Sequence, residues 1–230
     1  MSTFESAGGA DRDKWAIQMQ TLYAIPVYAK YWSVDESEIL EVDQCRETEK
    51  TAQILDSDGG TDKVVRPSTG IRHIAQRFRT RSEKYGNPDF SIRTSTYSDV
   101  DTEYDKLLNA HRNGGNVPAI YSFGIGAGVN KSECKQRGFA AIHFLDLPKF
   151  LQHVDNNQLS AIAQYEKDDG SEALYYSIDD LRRFGVINDS IQGDVLSSAW
   201  EDRQLSDDFP TAPGIDNTGQ LDLMDFGGSQ

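Results

Sequence analysis

Cysteine is almost missing from this chain of 230 residues: there are two, Cys45 and Cys134, far apart in sequence. They form no Cys-x-x-Cys unit, and the four histidines (His73, His111, His143, His153) do not cluster with them, so the sequence offers neither a zinc site nor a disulfide framework. Long apolar runs are missing too, and no stretch approaches the roughly 18 residues of a membrane span. The segment MSTFESAGGADRDKW lacks the basic-then-apolar pattern of a secretory leader, which makes a cytoplasmic protein the expectation. Positive charge is scarce: 23 Lys and Arg stand against 37 Asp and Glu, for a net charge of −14. Aspartate exceeds glutamate about two to one, and lysine is rarer than arginine. That balance suits a halophilic protein, kept soluble in high salt by its surface charge. Overall acidity ordinarily argues against nucleic acid, whose phosphates are met by Lys and Arg. In a salt-adapted chain the local basic clusters carry the information instead.

What is present suffices for one globular domain. Hydrophobic residues make up 37% and aromatics 10% of the chain, enough to bury a core. Residues 1–10 read as a disordered N-terminus, 11–200 as an α/β domain, and 201–230 as an acidic, Gly-, Pro- and Asp-rich disordered tail. Trp15, Met19 and Leu22 recur at helical spacing, with Asp11 as N-cap and Pro26 as the point where the helix ends or kinks. A second helix is predicted over ETEKTAQILDSD, stopping at Gly59-Gly60. TDKVV and IRHIAQRFR read as two strands around the turn RPSTG, and DFSIRTSTY as a third strand. VDTEYDKLLNAHRNGG is helical, AIYSFGIG and GFAAIHFLD are buried strands, and LPKFLQHV is a helix with Pro148 in its first turn. IDDLRRFGVI reads as a helix and turn, and the rest of 157–200 gives little signal. The predicted fold is a mixed central sheet flanked by helices.

The polar residues concentrate on the predicted hairpin. Asp62 heads its first strand, and Gln76, Arg77 and Arg79 lie on its second. Two adjacent strands can bring a carboxylate and a second oxygen donor together, an arrangement able to hold Mg²⁺. Such a metal can activate water against a phosphodiester. The run GGTDKVV, IAQRFR, DFSIR, TEYDKLLNAHR and AIYSFGI resembles the PD-(D/E)XK nuclease superfamily, the restriction-endonuclease-like fold, over about residues 11–147. The resemblance implies a core of helix, three strands, helix and strand. It implies Mg²⁺ or Mn²⁺ as cofactor, with Asp62 as metal-binding aspartate and Gln76 in place of the second acid. It also implies that Arg77 or Arg79 stabilises charge on the reacting phosphate. Neither strand register gives an intact triplet: Gln76 pairs with Phe78, and Arg77 with Ala75. Asp89, which follows Pro88, and Glu103 are further candidate metal ligands, and Arg79, Arg93 and Lys106 are candidate DNA contacts. Each also has a plain structural reading: Asp62 as a turn cap, the arginines as solvated strand residues, Glu103 and Lys106 as a helix ion pair. The expected function is metal-dependent DNA cleavage in DNA processing or repair. The alternatives are a DNA-associated adaptor without catalysis and a virus or plasmid structural protein.

Three other motifs stand out. FGIGAGVNKS is similar to a phosphate-binding loop, but Asn130 and Ile125 replace the two required glycines, so a glycine-rich connection between strands is expected. Cys134 lies beside Lys135, which would lower its thiol pKa. In the tail, Gln220, Leu223 and Phe226 form a Gln-x-x-aliphatic-x-x-aromatic pattern. It resembles the peptide that docks on the replication sliding clamp, with Gly227 where a second aromatic is usual.

Overall fold

The computed structural model describes residues 15–41, 62–68, 70–80, 89–94, 102–166 and 172–192. The predicted N-cap Asp11, the helix over ETEKTAQILDSD, Cys45, the loop RSEKYGNP and both termini, including the clamp-like peptide, lie outside these residues.

The first helix, α1 (15–32), shows what a proline does inside a helical stretch. Pro26 has no N–H and its ring crowds the preceding turn. The chain does not end there; it widens into a π turn over Gln20–Ala24, closed by Ile25 N–H on the Gln20 carbonyl, and resumes as Ile25–Trp32. Trp15, Met19, Val27 and Tyr28 form its buried face.

Six strands make the main sheet: β1 (Ile39–Glu41), β2 (Lys63–Val65), β3 (Arg72–Arg79), β5 (Ile120–Gly126), β6 (Phe139–Asp146) and β9 (Ile187–Gln192), side by side in that order. Neighbours are antiparallel except β3 and β5, which run parallel. The sheet is therefore mixed, as the sequence implies. A parallel pair needs a crossover, and here it contains β4 (Phe90–Arg93) and helix α2 (Glu103–Arg112). The predicted third strand, β4, does not extend the hairpin. It joins a second sheet, β4-β8-β7, with β7 (Ala163–Glu166) and β8 (Glu172–Tyr176). A 3₁₀ turn (Glu36–Glu38) and helices α3 (Lys131–Arg137), α4 (Leu147–Asp155) and α5 (Ile178–Arg183) complete the described elements.

The side-chain alternation of β3 and β5 divides the core in two. Ala75, Tyr121, Phe123 and Ile125 pack with Phe90, Leu107, Phe150 and Tyr176 on the face covered by α2, α4 and the small sheet. Ile74, Phe78, Phe139 and Phe144 pack with α1 on the other face. On that face β5 presents Ser122, Gly124 and Gly126, and the reason is space. A Cβ at Gly124 would lie 2.7 Å from Phe78 Cδ1 and 2.7 Å from Phe139 Cε1, whose rings lean together over the glycine at 5.0 Å between centroids. Gly124→Ala is expected to lower stability by about 1–2 kcal/mol through overpacking, read as a reduced urea midpoint at unchanged slope. A midpoint equal to the wild type would mean that the rings can retreat and that packing does not select this glycine.

No helix among the described residues is long and apolar enough to cross a membrane.

Candidate functional site

The site begins where β2 runs out. β3 continues through Gln76–Arg79, and the Gln76 N–H donates to the Asp62 carboxylate at 2.6 Å. Asp62 thus does as a side chain what a longer strand would do with its backbone. Gln76 turns towards α1: its Nε2 donates to Gln20 Oε1 at 2.6 Å, and Tyr28 O–H donates to Ser122 Oγ at 2.6 Å beside it. Gln20 belongs to the π turn, a feature that recurs at functional sites. Burial raises the pKa of Tyr28 well above that of a free phenol and keeps it protonated.

Arg77 and Arg79 point to the opposite face of β3. Arg77 donates to Glu103 Oε2 at 3.0 Å, and Tyr121 O–H donates to Glu103 Oε1. Burial opposes the Arg77 charge, and the Glu103 carboxylate together with Tyr121 and Tyr175 more than offsets it. Arg79 lies over the Phe123 ring, 5.6 Å from its centroid, a cation–π arrangement.

These strands and α1, β4 and α3 enclose a cleft of about 710 Å³. Four cations line it, Arg77, Arg79, Arg93 and Lys131, against one carboxylate, Asp62. Three donors around it lack a hydrogen-bond partner among the described residues: Arg79 Nε, Arg93 Nε and Trp15 Nε1. Buried donors are rarely left so.

The structure sorts the residues nominated from sequence. Asp62, Gln76, Arg77, Arg79 and Arg93 line one cleft. Glu103 contacts it through Arg77. Asp89, whose carboxyl pKa burial raises, feels Arg79 but is not among the lining residues. Lys106 is half-buried on α2 and does not line the cleft. Gln220, Leu223 and Phe226 lie outside the described residues. Sequence reasoning missed Trp15, Gln20, Lys131, Ser91 and Tyr175, which reach the cleft from α1, α3, β4 and β8. Of these, only Lys131 carried a signal, at the end of the phosphate-loop-like stretch.

That stretch turns out to be strand, loop and the short helix α3, not a bare connection between strands. Two of its loop amides are taken within the protein: Val129 N–H donates to Glu133 Oε2, and Ala127 N–H to the Gly138 carbonyl. The Cys134 thiol is buried, contacts the Gly128 carbonyl, and has its pKa raised by burial; Lys135 does not lower it.

The donor set does not fit Mg²⁺, which asks for several oxygen ligands. Glu103 is held by Arg77 and Tyr121. Gln76 gives its amide to Gln20, and its Oε1 lies 3.4 Å from the Tyr28 hydroxyl. Asp62 is the one carboxylate lining the cleft, and no three His, Cys, Asp or Glu side chains come together among the described residues.

Lys63, next to Asp62 in chain but on the α1 face, is 1% exposed, and burial lowers its pKa from 10.5 to about 8. Between those values the unfolded chain holds a proton that the folded chain has released, so stability rises with pH. The expected gain from pH 7 to 9.5 is on the order of 2 kcal/mol. Above pH 10 ionising tyrosines in the unfolded chain reverse the trend, since burial keeps Tyr28 and Tyr121 protonated in the fold. Urea titrations across this range check it: Lys63→Met should flatten the rise, and an undiminished slope would assign it to other groups.

Compared with known protein families, with curated proteins and with solved structures, the chain matches none.

Proposed function

We propose that the protein binds a nucleic-acid backbone in this cleft, as a DNA-associated protein whose hold on the chain is electrostatic. One observation carries the reading: Arg79, Arg93 and Lys131, beside an Arg77 already paired with Glu103, line one cleft in a chain of net charge −14. Distant acids do not cancel this, because screening confines exposed charges to about 10 Å at 0.1 M salt. Guanidinium groups are suited to phosphate, which they meet with two parallel N–H donors. Titration of a fluorescent DNA strand at 50 and 200 mM salt tests it. With about three phosphates neutralised, affinity should fall roughly twentyfold between the two. Affinity independent of salt, or no affinity at 50 mM, would remove the reading.

Asp62 at the head of the hairpin favours a second reading, phosphodiester cleavage on a restriction-endonuclease-like core. In its support, the order helix, hairpin, strand, helix, strand is kept along the chain, although β4 pairs elsewhere. Because the described residues supply one carboxylate, this reading needs a ligand from outside them. Mg²⁺ or Mn²⁺ added to the bound DNA distinguishes the two. Cutting that is lost in Asp62→Ala supports cleavage; binding without cutting leaves the adaptor reading alone.

A further inference from the structure

Resting on the nucleic-acid reading above, we propose that the cleft takes an unpaired nucleotide, phosphate at Arg79 and Arg93 and base edge at Asp62, rather than a duplex. The shape comes first. A volume of about 710 Å³ lies within the roughly 300–1,000 Å³ of small-ligand pockets. A duplex shows its base edges only at the bottom of its grooves, the wider one about 12 Å across, and a protein reads them by inserting a protruding helix or ribbon. This site is concave, so the ligand must enter it, and a stacked, paired base does not.

The charges are ordered in the same sense. Asp62 bonds to the Gln76 amide, and Arg79 lies three residues further along β3, a span of roughly 10 Å. Arg93, with Nε unpartnered, stands on β4. A phosphate is repelled by Asp62 and attracted at the arginine end, so a nucleotide has one favourable orientation. The base then meets an exposed carboxylate, an acceptor for an exocyclic amine such as cytosine N4–H. Tyr175 stands opposite Ser91 across the β4–β8 pair, and both line the cleft, where the ring offers the aromatic face on which unpaired bases stack.

Fluorescence anisotropy tests this with four probes: short oligodeoxycytidine, short oligodeoxythymidine, the blunt duplex of the first with its complement, and free cytidine monophosphate as competitor. The single strand should bind about tenfold or more tightly than the duplex, and oligodeoxycytidine should exceed oligodeoxythymidine by about fivefold or more, the discrimination of one base-edge contact. Asp62→Asn should erase the second preference and leave the first. Tyr175→Ala should weaken single-strand binding at unchanged salt dependence, with its unfolding midpoint measured alongside to exclude loss of fold. Competition by the monophosphate would assign the ligand to a nucleotide as such; its failure, with the strand still bound, would assign it to a strand. Duplex bound as tightly as single strand, with binding still dependent on Arg79 and Arg93, overturns this inference and leaves backbone binding standing. No binding by any probe overturns both.

Discussion

Arg77→Met should lower the free energy of unfolding by about 3 kcal/mol. Arg77 and Glu103 have side chains only 16% and 27% exposed, joined at 3.0 Å, and Glu103 also accepts from Tyr121. Removing the guanidinium leaves the carboxylate with one neutral donor beside the apolar cluster of Ala75, Tyr121 and Phe123. Breaking a fully buried pair costs roughly 3–5 kcal/mol, and the water still reaching Glu103 moves the figure to the lower end. The second substitution decides between causes. In Arg77→Met/Glu103→Gln the charge is gone and the amide oxygen can still accept from Tyr121, so about half the loss should return. Urea unfolding of wild type, both single variants and the double closes the cycle. A coupling within about 0.5 kcal/mol of zero would mean that the pair is a solvated surface contact.

This triad also shows what the sequence could and could not disclose. The spacing of the arginines marked β3 as unusual. Helix α2 was legible from the helical spacing of Tyr104, Leu107 and Leu108 ahead of Gly114-Gly115, and the structure adds its cap, the Thr102 hydroxyl accepting from Asp105 N–H. Helix α4 was legible from Pro148 in its first turn, which Asp146 caps. Strands β5 and β6 announced themselves as apolar runs because both their faces are buried. The partner of each strand was not legible. Phe90 and Ile92 have the alternation of a strand, but that pattern is the same whether β4 lies beside β3 or, as it does, beside β8. Edge strands were harder still. In β9 the residues Asn188, Asp189 and Ser190 need no apolar run, since its outer side has no described neighbour.

The candidate site divides along the same line. Arg77 and Arg79 share a face by alternation, and Asp62 enters from the neighbouring strand of a local hairpin. Gln20, Ser91, Lys131 and Tyr175 are brought in by long-range packing, which local spacing does not encode. The π turn that places Gln20 was foreshadowed only by Pro26, whose effect on the turn before it depends on what that turn packs against.

Arg79→Ala/Arg93→Ala should weaken binding of a DNA strand at 50 mM salt by about a hundredfold, the loss of two charge-assisted hydrogen bonds at roughly 1.5 kcal/mol each. The salt dependence is the more diagnostic reading. Each phosphate contact removed from a single strand takes about 0.7 off the slope of log affinity against log salt. A wild-type slope near −2 should therefore fall to about −0.7 in the double variant. Arg182→Ala serves as control, since Arg182 pairs on an exposed helix face with Asp179 and lies outside the cleft; both affinity and slope should stay at wild-type values. Arg79 also rests on Phe123, so loss of that contact could masquerade as loss of binding. Arg93→Gln alone, free of that stacking, should still remove one unit of about 0.7 from the slope while the unfolding midpoint holds. An unchanged slope in both cleft variants would place the phosphates elsewhere, and the unpartnered guanidinium donors would then have to be met by protein outside the described residues.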